Sequence, residues 1–248
     1  MVRDMNSWKT IWNNKKTDGE FDSDSIEETF QYLKSLMGVA SAEGIGFSDF
    51  RDQFDSNLAK IGGYSFDYKP QSYFEVGCGS GAYLYYLGRK NQKLTVGGID
   101  YSEPLIEAAK NVLNSLKICI GELYCAEAIE LDVDTKYDCV YSRSVFQYFP
   151  SAEYGLAVAE KMLQKARCCV GIFDLFDPQT KDDFLKYRRS VIEDYDVKYR
   201  ETPHQFYQKE SFLTLAQKNG CDVLFSRDPL KGYWNEPFVY DVYLYKRK

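Results

Sequence analysis

The chain has 248 residues, 44% of them hydrophobic, which is enough to bury one sizeable core and favours a single α/β domain over two. Its net charge of −6 comes from 31 basic and 37 acidic side chains, and an acidic chain without a basic stripe argues against a nucleic-acid partner. The sequence has no apolar run of about 18 residues and no apolar segment near its N-terminus, so we expect no membrane span, no signal peptide and a cytoplasmic location.

The seven cysteines form no C-x-x-C pair, so the sequence predicts no metal site. Most of them lie inside apolar, strand-like runs, where a cysteine packs as a small hydrophobic side chain. An odd number of cysteines in a chain without an export signal favours reduced thiols.

The first 70 residues are polar and are predicted to be mainly helical. Trp8 and Trp12 are four residues apart and would share one face of a helix. The run Ser25-Ile26-Glu27-Glu28 is typical of a capping box that opens a helix. A further amphipathic helix is indicated by the spacing of Phe50, Phe54 and Leu58.

From residue 72 onward the pattern alternates between strands and helices. Strands are predicted at 72–76, 94–99, 118–124, 137–141, 168–175, 221–225 and 240–245. Helices are predicted from residue 82 and at 104–116, 152–163, 182–193 and 209–218. Repeated β-α units indicate a mostly parallel sheet with right-handed crossovers, and ligands of such sheets bind at the carboxyl ends of the strands.

The first strand runs into a glycine-rich corner, Phe74-Glu75-Val76-Gly77-Cys78-Gly79-Ser80-Gly81, which a helix follows. Glycine tolerates both a tight turn and the close approach of a ligand because it has no Cβ. The corner places an acid, Glu75, near the end of the strand and turns the helix N-terminus toward the ligand. This pattern is typical of a loop that presses its backbone against a nucleoside-bearing ligand.

Three further features follow successive strands. Asp100 closes the second strand, and a carboxylate there can accept hydrogen bonds from both hydroxyls of a ribose. Ala126-Glu127-Ala128 follows the third strand and could clamp an adenine, with a side-chain acceptor for the exocyclic amine. The segment after the fourth strand, from Ser142 to Phe149, is aromatic and polar and would lie beside the same ligand.

Together these motifs resemble those of the class I S-adenosylmethionine-dependent methyltransferases, over about residues 70–230. The resemblance implies a Rossmann-like, mostly parallel seven-stranded sheet flanked by helices, with S-adenosyl-L-methionine as cofactor. The methionine end would contact Glu75, Gly77, Cys78, Gly79, Gly81 and Ser142. The ribose would contact Asp100 and Tyr101, and the adenine Ala126 and Glu127. The small-molecule branch is the most similar, which implies one domain with an N-terminal helical lid (1–70), a core (71–248) and a substrate-covering insertion at about 176–208.

The acceptor is expected to be a small molecule, methylated more readily at oxygen than at nitrogen, such as a sugar, a nucleotide sugar or a polysaccharide precursor. The segment after strand four reads Ser142-Arg143-Ser144-Val145 instead of the N-P-P-[YF] of enzymes that methylate base amines. His204, the only histidine, is a candidate base or positioning residue in the insertion. Further candidates for contact with substrate are Trp8, Trp12, Tyr148 and Tyr207.

Two other functions remain open from the residues alone. A nicotinamide-dependent oxidoreductase shares the glycine loop and the acid after strand two, but the sequence has no Tyr-x-x-x-Lys pair after strand four. A catalytically silent, methyltransferase-like subunit would bind a partner through its N-terminal helices, although the intact glycine loop and Asp100 argue against a lost cofactor site. The protein is expected to be a monomer or a homodimer.

Overall fold

The computed structural model describes residues 12, 14, 24–37, 45–63 and 69–247. Seven strands of this part of the chain form one sheet in the order β3-β2-β1-β4-β5-β7-β6. The strand β7 runs antiparallel to both β5 and β6, and the other pairs are parallel. The strands are β1 Ser72–Val76, β2 Thr95–Asp100, β3 Ile120–Cys125, β4 Tyr137–Arg143, β5 Ala166–Phe176, β6 Cys221–Ser226 and β7 Val239–Lys246. The predicted sheet is confirmed.

The helices of the described residues lie on both faces of the sheet, and most begin and end within two residues of their predicted positions. They are α1 Ile26–Leu36, α2 Phe47–Gly63, α3 Ala82–Lys90, α4 Glu103–Ser115, α5 Ala152–Lys165, α6 Lys181–Val191, α7 Tyr195–Lys198 and α8 Lys209–Lys218. Local chemistry explains the starts: the Ser25 hydroxyl accepts a hydrogen bond from the Glu28 N–H at 3.1 Å, and proline occupies the first turn of α4. The N-cap of the predicted capping box, the Ser25 side chain, is therefore confirmed.

The central strands are buried on both faces, as their continuous apolar sequences require. In β5, Val170 and Ile172 belong to the core cluster beneath α5 and α8. Cys169 and Phe173 point to the opposite cluster, which includes side chains from α1, α2, α3 and α4. Burial of these two faces fixes the register of the sheet, because a slip of one residue would exchange the two sets of side chains.

The glycine loop between β1 and α3 adopts the backbone that its sequence predicts. Gly77 has φ of +78° and Gly79 has φ of +51°, in the left-handed region that favours glycine. A Cβ on Gly77 would lie 2.4 Å from Cγ2 of Val145, in the segment after β4. The loop and that segment therefore meet above the carboxyl ends of β1 and β4.

Candidate active site

A cavity opens at the carboxyl ends of the parallel strands, where a sheet of this topology binds ligands. Its walls come from the glycine loop, the ends of β2 and β3, the segment after β4, and the helices α1 and α2. Ten of the residues predicted for the site lie on these walls: Trp12, Glu75, Gly77, Cys78, Gly79, Asp100, Tyr101, Ala126, Glu127 and Tyr148. The sequence motifs therefore converge on one site.

Asp100 is held against the glycine loop. One carboxylate oxygen accepts the Gly79 N–H at 2.8 Å and the other accepts the Ser102 N–H at 2.9 Å. Burial raises the pKa of Asp100, and these backbone hydrogen bonds oppose the rise by stabilising the ionised form. Each oxygen can accept a second hydrogen bond, so the fixed carboxylate can also bind a pair of hydroxyl groups.

Glu75 is a buried carboxyl group beneath the glycine loop. Burial raises its pKa from 4.5 to about 8, against the opposing effects of the Tyr141 hydroxyl, Lys34 and Arg143. The Tyr141 hydroxyl donates a hydrogen bond to Glu75 at 3.2 Å. Glu75 is therefore mainly protonated at pH 7, and a cationic ligand group beside it would favour its ionisation.

A buried ion pair lies next to Glu75. Arg143 closes β4, and its Nε lies 3.8 Å from Oδ2 of Asp174 in β5. The Arg143 guanidinium also donates hydrogen bonds to the side-chain oxygens of Asn57 and Gln53 in α2. Although burial disfavours its charge, Tyr83, Asp174 and Asp241 raise the pKa of Arg143 above its ordinary value. The pair ties two strands to the N-terminal helices at the wall of the cavity.

Two residues on this wall have left-handed backbones although neither is glycine. Ser144 has φ of +55° and Asp174 has φ of +61°. The Ser144 hydroxyl donates a hydrogen bond to the Asp174 carboxylate, and the Asp174 N–H donates to Asp241 at 3.0 Å. Strained backbone of this kind persists where surrounding contacts fix it, and it clusters at functional sites.

The connection between β6 and β7 also lines the cavity. It contributes Leu230, Tyr233, Trp234 and Asn235. The Asn235 Oδ1 is buried and accepts no hydrogen bond from the described residues, and the same holds for the Oε1 of Gln147, which also lines the cavity. Buried acceptors of this kind are costly unless a ligand or water donates to them. This wall therefore presents both aromatic surface and polar groups to a ligand.

A family model described as a methyltransferase domain matches residues 74–168. These residues run from β1 into β5 and include the glycine loop, Asp100 and Glu127. The segment that carries the sequence motifs is therefore similar to a methyltransferase domain. Among curated proteins, the malonyl-[acyl-carrier protein] O-methyltransferase of Priestia megaterium (strain DSM 319 / IMG 1521) is 30% identical over 92 residues, which are 37% of this chain. That match spans 32% of the relative, about a third of its length.

Solved methyltransferase structures share the fold over nearly the whole chain. Magnesium protoporphyrin IX methyltransferase (ChlM) from Synechocystis PCC 6803 with bound SAH superimposes with a TM-score of 0.64 and 12% identity, covering 98% of this chain and 100% of that chain. The plantazolicin methyltransferase BpumL in complex with SAH gives a TM-score of 0.59 and 17% identity, covering 98% and 99%. At these identities the similarity shows the methyltransferase fold alone.

Two residues predicted to contact the cofactor do not line the cavity. The Ser142 hydroxyl is fully buried and donates to the Val76 carbonyl at 2.8 Å, so it links β4 to β1 inside the sheet. Ser144, two residues later, lines the cavity instead. Gly81 caps the start of α3, where an added Cβ would lie 3.1 Å from Ala109. Ser142 and Gly81 therefore stabilise the fold and do not form the wall of the cavity.

His204 and Tyr207 also lie outside the cavity, contrary to the predictions of a catalytic and a substrate-binding role. His204 packs among the rings of Tyr148, Phe176 and Phe184 and lines a separate depression. The Tyr207 hydroxyl is buried and donates to the Phe146 carbonyl at 2.8 Å. Trp8, the remaining candidate, lies outside the described residues.

The described part of the chain contains no group of histidine, cysteine and acidic side chains suited to a metal ion. It also contains no helix long and apolar enough to cross a bilayer.

The protonation of Glu75 gives a pH-dependent prediction. Its folded pKa of about 8 exceeds its ordinary value of 4.5, so the folded state holds the proton longer and stability falls as the pH rises through this interval. Glu75→Gln removes this effect, so we expect the variant to gain stability relative to the wild type between pH 5 and 9, with an upper limit of about 5 kcal/mol. Urea denaturation of both proteins at pH 5, 7 and 9 measures the gain, and a constant difference would contradict the shifted pKa.

Proposed function

We propose that the protein transfers a methyl group from S-adenosylmethionine to a small-molecule or peptide acceptor. The observation that carries the proposal is the placement of Asp100, whose carboxylate hydrogen-bonds to the Gly79 N–H at the edge of the cavity. This arrangement places two carboxylate oxygens, which can accept hydrogen bonds from hydroxyl groups, beside a glycine loop that leaves room for a ligand. The family match over residues 74–168 includes both elements.

The residues that line the cavity fit the cofactor. We assign the ribose hydroxyls to Asp100, with Tyr101 beside them, and the adenine to Ala126 and Glu127. Glu75 is assigned to the methionine ammonium, whose charge would favour ionisation of the buried carboxyl group. When bound, the cofactor supplies an electrophilic methyl group, and the chain's own task is to orient the acceptor and exclude water from it.

The acceptor side supports a polar molecule with apolar or aromatic parts. Tyr148, Tyr233 and Trp234 supply flat apolar surface, while Gln147 and Asn235 supply buried hydrogen-bond acceptors. We propose oxygen as the methylated atom, since the curated relative is named as an O-methyltransferase. That the acceptor is a sugar, a nucleotide sugar or a polysaccharide precursor stays a prediction. An assay of these acceptors should also include carboxylic acids related to the acceptor of the curated relative.

The N-terminal helices are proposed to act as a lid, as part of a single domain that spans residues 1–248. Lys34 and Met37 from the region of α1, and Phe50 from α2, line the cavity. The insertion at about 176–208 contributes Glu201 to the same wall. Closure by these segments would exclude water from the acceptor.

Calorimetric titration with S-adenosylhomocysteine and with NAD tests the proposed function. We expect the first to bind at micromolar concentration and NAD not to bind at millimolar concentration. Release of S-adenosylhomocysteine from S-adenosylmethionine over a panel of alcohols, carboxylic acids and amines then identifies the acceptor class. Binding of NAD alone would favour the oxidoreductase, and cofactor binding without release for any acceptor would favour a catalytically silent subunit.

A further inference from the structure

The side chain of Lys34 is a buried cation on the wall of the cavity. It comes from α1, three residues before Met37, whose sulfur would lie 2.4 Å from a Cβ on Gly79. The Lys34 ammonium lies 4.7 Å from the centre of the Phe50 ring and 5.1 Å from that of Tyr83. Lys34 is only 7% exposed, so bulk water solvates its charge poorly.

No carboxylate of the described residues lies within ion-pair distance of the Lys34 ammonium. Three charged or titratable groups from the packed strands act on it from further away: Arg143 in β4, Glu75 in β1 and Asp174 in β5. Asp174 is already paired with Arg143, and Glu75 is mainly protonated at pH 7. Burial, followed by repulsion from Arg143, lowers the pKa of Lys34 to about 8. The described part of the protein therefore leaves this charge without a matching anion.

A second donor lies beside Lys34. The Tyr83 hydroxyl is buried, lines the same cavity and has no hydrogen-bond partner among the described residues. An ammonium and a hydroxyl on adjacent side chains match the two oxygens of a carboxylate, since each can donate one hydrogen bond. A phosphate would bring more negative charge and a third oxygen, so it would need a further cation beside Lys34. Arg143 could be that cation, but it already bonds to Asp174, Asn57 and Gln53, and a carboxylate therefore fits the site better.

We propose that Lys34, assisted by the Tyr83 hydroxyl, binds a carboxylate of a ligand in this cavity. The inference rests on the proposed function and deepens it. Two ligands can supply the carboxylate: the amino-acid end of the cofactor, or a carboxylic acid acceptor. In either case the bound anion supplies the charge that Lys34 lacks and favours its protonated form.

Calorimetry distinguishes the two sources. S-adenosylhomocysteine and 5′-methylthioadenosine share the nucleoside and the sulfur, but the second has no amino-acid end. If the cofactor supplies the carboxylate, Lys34→Met weakens binding of S-adenosylhomocysteine at least tenfold and leaves the affinity for 5′-methylthioadenosine unchanged. If the acceptor supplies it, both affinities stay unchanged. Benzoate then binds the S-adenosylhomocysteine-saturated wild type at least tenfold more tightly than benzamide does, and Lys34→Met removes that preference.

Three further variants complete the experiment. Lys93→Met removes an exposed lysine and should behave as the wild type. Lys34→Arg keeps the charge and should retain the carboxylate preference, while Tyr83→Phe should reduce it about threefold or more. Because Lys34→Met removes a buried charge, we expect it to fold, which its circular dichroism and thermal transition will verify.

Two outcomes would overturn the inference or its basis. Wild-type affinity of Lys34→Met for S-adenosylhomocysteine, together with no benzoate preference in the wild type, overturns the carboxylate site and leaves the proposed function standing. A wild-type protein that binds neither S-adenosylhomocysteine nor 5′-methylthioadenosine overturns the proposed function itself.

Discussion

Replacing Asp100 by Asn is expected to weaken the binding of S-adenosylhomocysteine about 100-fold or more. The aspartate is fixed by hydrogen bonds from the N–H groups of Gly79 and Ser102, so its remaining lone pairs are oriented before the ligand arrives. A hydrogen bond to a charged group contributes about 1.5–3 kcal/mol, and two ribose hydroxyls would each lose one. Because about 1.4 kcal/mol corresponds to a tenfold change in affinity, the loss of two such hydrogen bonds corresponds to a loss of about 100-fold or more.

The matched control for this experiment is Glu103→Gln. Glu103 begins α4 three residues later, is exposed and does not line the cavity. Like Asp100→Asn, the substitution Glu103→Gln removes one carboxylate charge from this region. A general electrostatic effect on ligand binding would therefore weaken the affinity of both variants. Calorimetric titration measures both affinities, and thermal unfolding verifies that Asp100→Asn remains folded. Less than a threefold loss in Asp100→Asn would remove Asp100 from the ribose site.

The cofactor half of the site could be predicted from sequence because its parts are local. The glycine loop, Asp100 and Glu127 each lie at or within two residues of the end of one strand, and the carboxyl ends of adjacent parallel strands meet at one edge. The sequence pattern was also sufficient for the sheet, since the central strands β1, β4 and β5 are buried on both faces and are mainly apolar. The error at Ser142 has a related origin: β4 continues to Arg143, so the segment that lines the cavity begins one residue later than predicted, at Arg143.

Apart from Trp12 and Tyr148, the acceptor half could not be predicted, because it is assembled from segments far apart in the sequence. From the sequence, Lys34 is predicted to be an ordinary exposed lysine near the end of an amphipathic helix, because only tertiary packing buries it. Tyr233 and Trp234 lie in an irregular connection that has no periodicity to interpret. Arg143 and Asp174 did carry a signal, since each is a charged residue at or near the end of a buried strand, where an unpaired charge is costly.

His204 was predicted to act in the site because it is the only histidine and lies in the predicted insertion, but neither property determines where its side chain packs. It lies in the predicted insertion, yet its ring is turned into a cluster with Phe176 and Phe184. Aromatic neighbours on the same segment favour packing over exposure to a ligand, because each buried ring removes a large apolar surface from water. The base expected from His204 is also unnecessary for an acceptor that is already ionised, such as a carboxylate.

The buried charges of the cavity predict a large effect on stability. Arg143→Met is expected to destabilise the protein by about 3–5 kcal/mol, because it leaves Asp174 buried without its cation. It also removes the donors to the side-chain oxygens of Asn57 and Gln53, which loosens α2 from the sheet. Urea denaturation measures the loss. Arg167→Met is the matched control: that arginine pairs with Asp138 at 3.5 Å but its side chain is 52% exposed, so its removal should cost less than about 1 kcal/mol.

The pH dependence of this variant separates a charge effect from a packing effect. Without Arg143, Asp241, whose pKa burial already raises to about 7, loses a stabilising cation and takes up a proton more readily. The destabilisation should therefore be smaller at pH 5 than at pH 8. Adding Asp174→Asn to Arg143→Met should recover part of the lost stability at pH 8 and little at pH 5. An equal loss at both pH values, unaffected by Asp174→Asn, would assign the effect to packing and remove the ion pair as the link between the sheet and the N-terminal helices.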